Sequence, residues 1–338
     1  MLTIPCSVGS VMRILITGTS GHLGEALART LRDGRHDVVG VDLLASPYTD
    51  RIGDIADREF VRDAMRGVEA VLHAATLHKP QVATHTRQAF VDTNISGTLN
   101  LLEESVAQGV AAFVFTSTTS AFGHALTPAP SQPAAWIDEE VACIPKNIYG
   151  ISKLAAEHLC ELFQRKFALP CIVLRTSRFF PEADDNRATR ETYADANTKV
   201  NELLYRRADI ADIVDAHLLA LQKAASLGFA RYIVSATTPF QRGDLAELRS
   251  NAPAVLQRYA PDYRDAYAER GWRMFPGIDR VYDSRRARDG LGWAPRWNFA
   301  AALEALRHGR EYRSPLARSI GSKGYHAETF EDGPFPVD

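Results

Sequence analysis

The sequence predicts a doubly wound α/β fold: a parallel sheet covered by helices on both faces, followed by a smaller C-terminal α/β region. Three features of the 338-residue chain point there. Its N-terminal half repeats short, near-continuous apolar runs rich in Val and Ile, as strands buried on both faces do. Those runs alternate with longer stretches of helical periodicity. The first run ends directly in a turn with three glycines, which opens the first helical stretch.

The strand candidates are RILIT (13–17), HDVVGVD (36–42), AVLHAA (70–75), AFVFTS (112–117) and CIVLRTS (171–177). Between them lie GEALARTLRDG (24–34) and SGTLNLLEESVAQG (96–109), helical patterns that each stop at a glycine. YGISKLAAEHLCELFQRKF (149–167) is a long amphipathic helix. Beyond residue 177 the regularity loosens. PEADDNRATRETYADAN (181–197) reads as a polar loop or lid, ADIADIVDAHLLALQKAAS (208–226) as a helix and RYIVSA (231–236) as a strand. Residues 12–177 are expected to form the first domain and 178–310 a second region, with the chain crossing back to the first sheet near 208–236. The tail 311–338, rich in Gly, Pro and Ser, is expected on the surface, and residues 1–11 as a loose extension before Met12.

Hydrophobic content of 46% and charged content of 24% suit a globular protein with a substantial core. A net charge of -2 makes no electrostatic bid for nucleic acid or an acidic membrane. No apolar run is long enough to span a bilayer, and residues 1–11 lack the basic n-region of a signal peptide. The four cysteines, Cys6, Cys143, Cys160 and Cys171, form no C-x-x-C motif, so a reduced, cytoplasmic protein is expected. The ten histidines include no H-E-x-x-H and no tight cluster, and no metal site is expected.

ILITGTSGHLGEAL (14–27) places Gly18, Gly21 and Gly24 between a strand and a helix, with Ser20, His22 and Leu23 in the same loop. Glycines permit the tight turn and let the backbone approach a pyrophosphate at the helix N-terminus. Asp42 ends the next strand, eighteen residues beyond Gly24. A carboxylate there accepts hydrogen bonds from ribose hydroxyls and repels a 2′-phosphate, which favours NAD over NADP. This is the Rossmann arrangement.

TGTSGHLG resembles the cofactor loop of the extended short-chain dehydrogenase/reductase family, the NAD-dependent epimerase/dehydratase group. Further stretches resemble that family in the same order, over roughly residues 12–305. GDI (53–55) is similar to the adenine contact and implies Asp54 and Ile55 as cofactor residues. VLHAA (71–75) resembles the strand end beside the cofactor, implying His73, Ala74 and Ala75. DTNISGTLNLLE (92–103) resembles the helix that bears a catalytic Asn, here Asn94, although Asn at a helix start is also a common cap. LGWAP (291–295) resembles a late signature.

NIYGISK (147–153) sets Tyr149 and Lys153 four residues apart, on one face of a helix. A free phenol has a pKa of about 10, so only about one in a thousand is ionised at neutral pH. A neighbouring ammonium and an oxidised nicotinamide both favour phenolate. The resemblance thus implies Tyr149 as general base and Lys153 as the group that lowers its pKa and holds the cofactor ribose. FVFTSTTSAFG (113–123) resembles the strand that ends in catalytic hydroxyls, with Thr118 at the key position, Ser117 before it and Thr119 as a less favoured neighbour.

LRTSRFFPEADDNR (174–187) departs from the epimerase-like members, which carry an Asn where this chain has Arg178. The F-P-E that follows, with Arg187, is similar to the uronate dehydrogenases and implies Arg178 and Arg187 as contacts for an acidic substrate. His78 and Lys79, just past the third strand, are further candidates to face an anion. Two functions share the hydride step: a sugar or nucleotide-sugar epimerase that retains NADH, and a net dehydrogenase of a uronic acid or other free sugar that releases it. TTSAFG lacks the Asp–Glu pair of dehydratases. A non-catalytic NAD sensor is disfavoured because the Tyr–Lys pair is kept. The resemblance also implies a homodimer.

Overall fold

The computed structural model describes residues 11–324 and residue 330. Nine strands occur among them: β1 (Arg13–Thr17), β2 (Asp37–Asp42), β3 (Arg51–Ile52), β4 (Ala70–His73), β5 (Ala112–Thr118), β6 (Ala135–Ile137), β7 (Cys171–Thr176), β8 (Phe229–Val234) and β9 (Arg280–Tyr282). Seven make one parallel sheet in the order β3-β2-β1-β4-β5-β7-β8, and β6 pairs with β9. The chain winds outward from β1 to β3, then returns to β4 on the other side of β1. At such a reversal the carboxyl ends of adjacent strands leave a crevice.

Alternation along each strand divides the core between the two faces. Ile14, Ile16, Leu72, Val114 and Ile172 pack with helices His22–Asp33 and Ile210–Leu227. Leu15, Val71, Phe113, Phe115 and Val173 pack with helices Gly97–Gln108 and Ile148–Phe167. A separate core joins Leu203, Phe240, Leu248, Val255, Tyr267, Phe275 and Phe299.

Five expected strands and four expected helices lie where their patterns placed them, apart from shifts of one or two residues at some ends. The third strand ends at His73 rather than Ala75, because the amides of Ala74 and Ala75 turn to the Thr17 hydroxyl at 3.2 and 3.1 Å. Segment 208–236 supplies a helix against the sheet and its edge strand β8, which starts at Phe229.

Two expectations need correction. The 181–197 stretch is not all loop: Arg187–Thr192 and Asp195–Glu202 are helices, the first capped by the Asn186 side chain. Its polarity misled because the second helix buries Asn201 and Glu202 in polar contacts. The tail is not wholly superficial. Ser314 caps helix Pro315–Ile320 and donates to Asp209 at 2.6 Å, and Ile320 is buried against the first core. The part of the tail beyond Gly324, Phe330 apart, and residues 1–10 lie outside the described residues.

Candidate active site

A cleft of about 540 Å³ opens at the carboxyl ends of β1, β4 and β5. It brings together Gly18, Ser20, Gly21, His22, Leu23 and Gly24 with Asp42, Asp54, Ile55, Ala74 and Ala75. Thr118, Thr119, Ser117, Tyr149, Lys153, His78, Lys79 and Arg178 also line it.

The glycine loop is shaped by close backbone approach. Gly18 takes a φ of +79°, and a Cβ there would crowd the backbone of Ala75. A Cβ on Gly24 would fall inside the van der Waals shell of the Gly18 carbonyl oxygen. Gly24→Ala is therefore expected to wedge the loop open and weaken NAD binding about tenfold or more. Titration calorimetry measures this, and an unchanged affinity would refute the cradle.

Asp42 stands at the end of β2. One carboxylate oxygen accepts from the Ser20 amide and the other from the Leu44 amide, both at 2.9 Å. A carboxylate has about four lone-pair sites, so this leaves acceptors for ribose hydroxyls. The loop and Asp42 fit a dinucleotide: Gly18–Gly24 would hold the pyrophosphate and Asp42 the ribose.

Tyr149 and Lys153 are one turn apart on helix Ile148–Phe167, whose start is capped by Asn147 accepting from the Gly150 amide at 3.1 Å. Both side chains are buried. Burial raises the Tyr149 pKa, and a hydrogen bond from Thr118 opposes it. Burial brings Lys153 down to about 7, although the Glu157 carboxylate pulls it up. The Lys153 ammonium lies 4.0 Å from the Phe115 ring centroid, a cation–π contact. Thr118 ends β5, and its hydroxyl accepts from the Ser120 amide at 3.0 Å, which fixes its rotamer.

The His78 ring meets Tyr149 and Phe180 edge to face, each at 4.9 Å between centroids. Burial, then the charges of Lys153 and Lys79, hold His78 down at about 3. It is a neutral imidazole at pH 7.

Four predicted site residues are used otherwise. Ser117 donates to Glu157 at 2.5 Å, joining that carboxylate's buried pair with Arg175. His73 lies beneath the cleft, between the hydroxyls of Thr17 (2.7 Å) and Thr98 (2.9 Å). Asn94 sits in the π-turn Val91–Ser96. It accepts from Thr76 Oγ1 and the Leu77 amide and donates to Leu77 O and Ser152 Oγ. It thereby ties the strand-end loop to the Tyr149 helix rather than facing the cleft. Arg187 is exposed on its short helix, paired with Glu191 at 2.7 Å, and does not line the cleft.

Arg178 lines the cleft but is gripped by acids. It bonds Asp184, Asp185 at 2.9 Å and Glu202 at 3.2 Å, and Asp185 also holds Lys79 at 2.6 Å. Arg206 and Arg207 complete the cluster around Glu202, at 2.6 and 2.7 Å. Arg178, expected as a contact for an acidic substrate, thus has most of its charge matched internally.

Burial alone would raise Glu202 and Asp185, but Arg206, Arg207 and Arg178 hold Glu202 low, and Arg178 with Lys79 holds Asp185 low. Glu182 is likewise pulled to about 2, where the bond and charge of His22 overcome burial. Folded pKa values below the unfolded ones contribute stability that is present above the ordinary carboxylate range and lost as pH falls through the folded values. Tm is expected to drop steadily below about pH 4.5. Thermal unfolding at stepped pH tests this, and a flat Tm down to about pH 3 would refute it.

The model of the NAD dependent epimerase/dehydratase family matches residues 14–234. The chain belongs to this family. NAD is its cofactor, and it is an enzyme of the extended short-chain dehydrogenase/reductase type. When bound, NAD accepts or returns a hydride. The chain is 28% identical over 352 residues to dTDP-glucose 4,6-dehydratase of Streptomyces niveus, covering 93% of this chain and 99% of that one. It is 26% identical to UDP-glucose 4-epimerase of Rhizobium meliloti, covering 86% and 95%. Uronate dehydrogenase of Pseudomonas syringae pv. tomato is 24% identical over 57% of this chain and 70% of that one. Among solved structures, a short-chain dehydrogenase/reductase superfamily protein from Agrobacterium tumefaciens with bound NAD superposes with a TM-score of 0.62 at 23% identity, covering 88% and 97%. That likeness supports the fold.

Sequence reasoning missed several lining residues, including Phe180, Arg206, Arg280 and Lys323. Glu157 was within its reach, because the i, i+4 spacing that links Tyr149 to Lys153 continues to it. No helix among the described residues is long and apolar enough to cross a membrane. Among them, no group of three potential ligands could hold a metal ion.

Proposed function

We propose that the protein oxidises a hydroxyl of a compact sugar, preferably a sugar acid, and releases NADH. The observation that carries this reading is the cleft lining. Of residues 208–310, only Arg280 and Tyr282 reach it; the rest of that region packs against the main sheet or into the separate C-terminal core. A nucleotide handle has few walls to bind there. Lys79, Arg178, Arg206 and Arg280 line the cleft; Asp184, Asp185, Glu202 and Asp279 pair with them, and a substrate carboxylate would share guanidinium groups that each offer five N–H donors.

In this reading Thr118 holds the reacting hydroxyl and Tyr149 takes its proton as the carbon yields hydride to NAD. The Lys153 ammonium favours the phenolate that begins the step. Neutral His78 and Phe180 wall the site and exclude water from Tyr149.

A second reading, a nucleotide-sugar epimerase that retains NADH, is favoured by the near full-length match to UDP-glucose 4-epimerase. Absorbance at the NADH band, with NAD and a panel of uronic acids, neutral aldoses and nucleotide-sugars, separates the two. Accumulation well beyond one equivalent with a sugar acid is the expected result. At most one enzyme-bound equivalent, with a rearranged nucleotide-sugar seen by NMR, would replace it with the epimerase. The homodimer belongs to the same proposal: Val106, Ile151 and Phe167 are exposed apolar residues on the two helices concerned. A monomer mass by light scattering would remove it.

A further inference from the structure

We propose that Lys323, carried by the C-terminal segment, is a dinucleotide-binding residue that sets a cation beside the glycine loop. The inference rests on NAD occupying that loop. Lys323 and Gly324 line the same cleft as Gly18–Gly24, although the chain between them spans the whole fold.

A single carboxylate latches the segment there. Glu182 Oε1 accepts from Ser322 Oγ at 2.9 Å, the Lys323 amide at 3.0 Å and the Gly324 amide at 3.1 Å. The same oxygen lies 2.8 Å from Nε2 of His22, the first residue of the loop's helix. Just upstream, Ile320 anchors the segment in the core. Lys323 is therefore held in place from both sides of its backbone.

Charge supplies the second argument. The first helical turn carries Glu25, and the latch adds Glu182, both with side chains less than a tenth exposed. Two carboxylates beside the loop oppose a pyrophosphate, which carries negative charge of its own. The loop answers with backbone amides and the helix N-terminus. Lys323 adds a full positive charge: its ammonium bonds the Glu25 carboxylate, which Arg29 also holds at 2.5 Å. Because Arg29 remains on Glu25, Lys323 can turn to a phosphate oxygen without stranding that carboxylate. A lysine on its flexible stem suits such an exchange.

Calorimetric titration of the full chain with ADP-ribose and with adenosine tests the proposal. Adenosine shares the Asp42 end of the site and lacks the pyrophosphate. Lys323→Met is expected to weaken ADP-ribose about tenfold or more and leave adenosine unchanged, and Lys323→Arg to restore most of the affinity. Unchanged ADP-ribose affinity in Lys323→Met would overturn the proposal, as would equal loss of both ligands, which marks a purely structural role. If the wild-type chain bound neither ligand, the placement of NAD itself would fail.

Discussion

Replacing Tyr149 with Phe is expected to lower kcat/KM by about 10²–10⁴-fold, because it removes the proton acceptor and keeps the ring. The ring contacts with His78 are retained, so the fold and the NAD site should be little affected. Steady-state rates with the substrate that the NADH panel identifies, alongside NAD titration, measure both. The structure adds a condition on the mechanism. Burial raises the phenol, so charge must come from beside it. Lys153, itself lowered to about 7 by burial, is protonated below that value and loses its charge above it. Lys153→Arg, which stays charged, should therefore lose less of its rate on going to alkaline pH than the wild type does. Equal rates for wild type and Tyr149→Phe would remove Tyr149 from the chemistry.

Glu202→Gln is expected to destabilise the protein by about 3–5 kcal/mol. The Glu202 side chain is fully buried and touches three guanidinium groups, those of Arg178, Arg206 and Arg207. An amide keeps the shape and removes the charge, leaving three cations with too few partners in a poorly solvated place. Denaturant unfolding reads the loss. A change below about 1 kcal/mol would mean that Asp184 and Asp185 compensate. Because Arg178 and Arg206 also line the cleft, the variant's KM should rise together with its loss of stability.

Much of the cofactor half was legible from local pattern. The β1 strand, its glycine turn and the following helix are contiguous, so their chemistry is written in consecutive residues. Asp42 could be placed because a strand end was countable from the glycines. Tyr149 and Lys153 could be paired because helical spacing alone stacks them. Thr118 followed from the resemblance of FVFTSTTSAFG to the family's strand of catalytic hydroxyls.

The substrate half was less legible, and Arg178 shows why. Its emergence from a buried strand was readable, but its partners were not. Asp184 and Asp185 lie in a stretch that read as a solvated loop, and Glu202 in a helix that polarity concealed. Arg187 was suggested by a short likeness to the uronate dehydrogenases, and its helix leaves the side chain exposed and paired with Glu191. Asn94 was identified by position, but its work is to join two segments through four hydrogen bonds.

The sequence by itself determined the doubly wound sheet, the dinucleotide loop and the Tyr–Lys pair, since each depends on side chains within a turn or a strand of one another. Only the tertiary structure decided which charges are matched and which are offered to a ligand. Arg178 is consumed by carboxylates from two other segments, while Glu182 draws Lys323 from the far end of the chain to the first glycine turn. Such pairings depend on which surfaces meet after packing, and burial then makes each meeting decisive, because an unmatched charge out of water is costly.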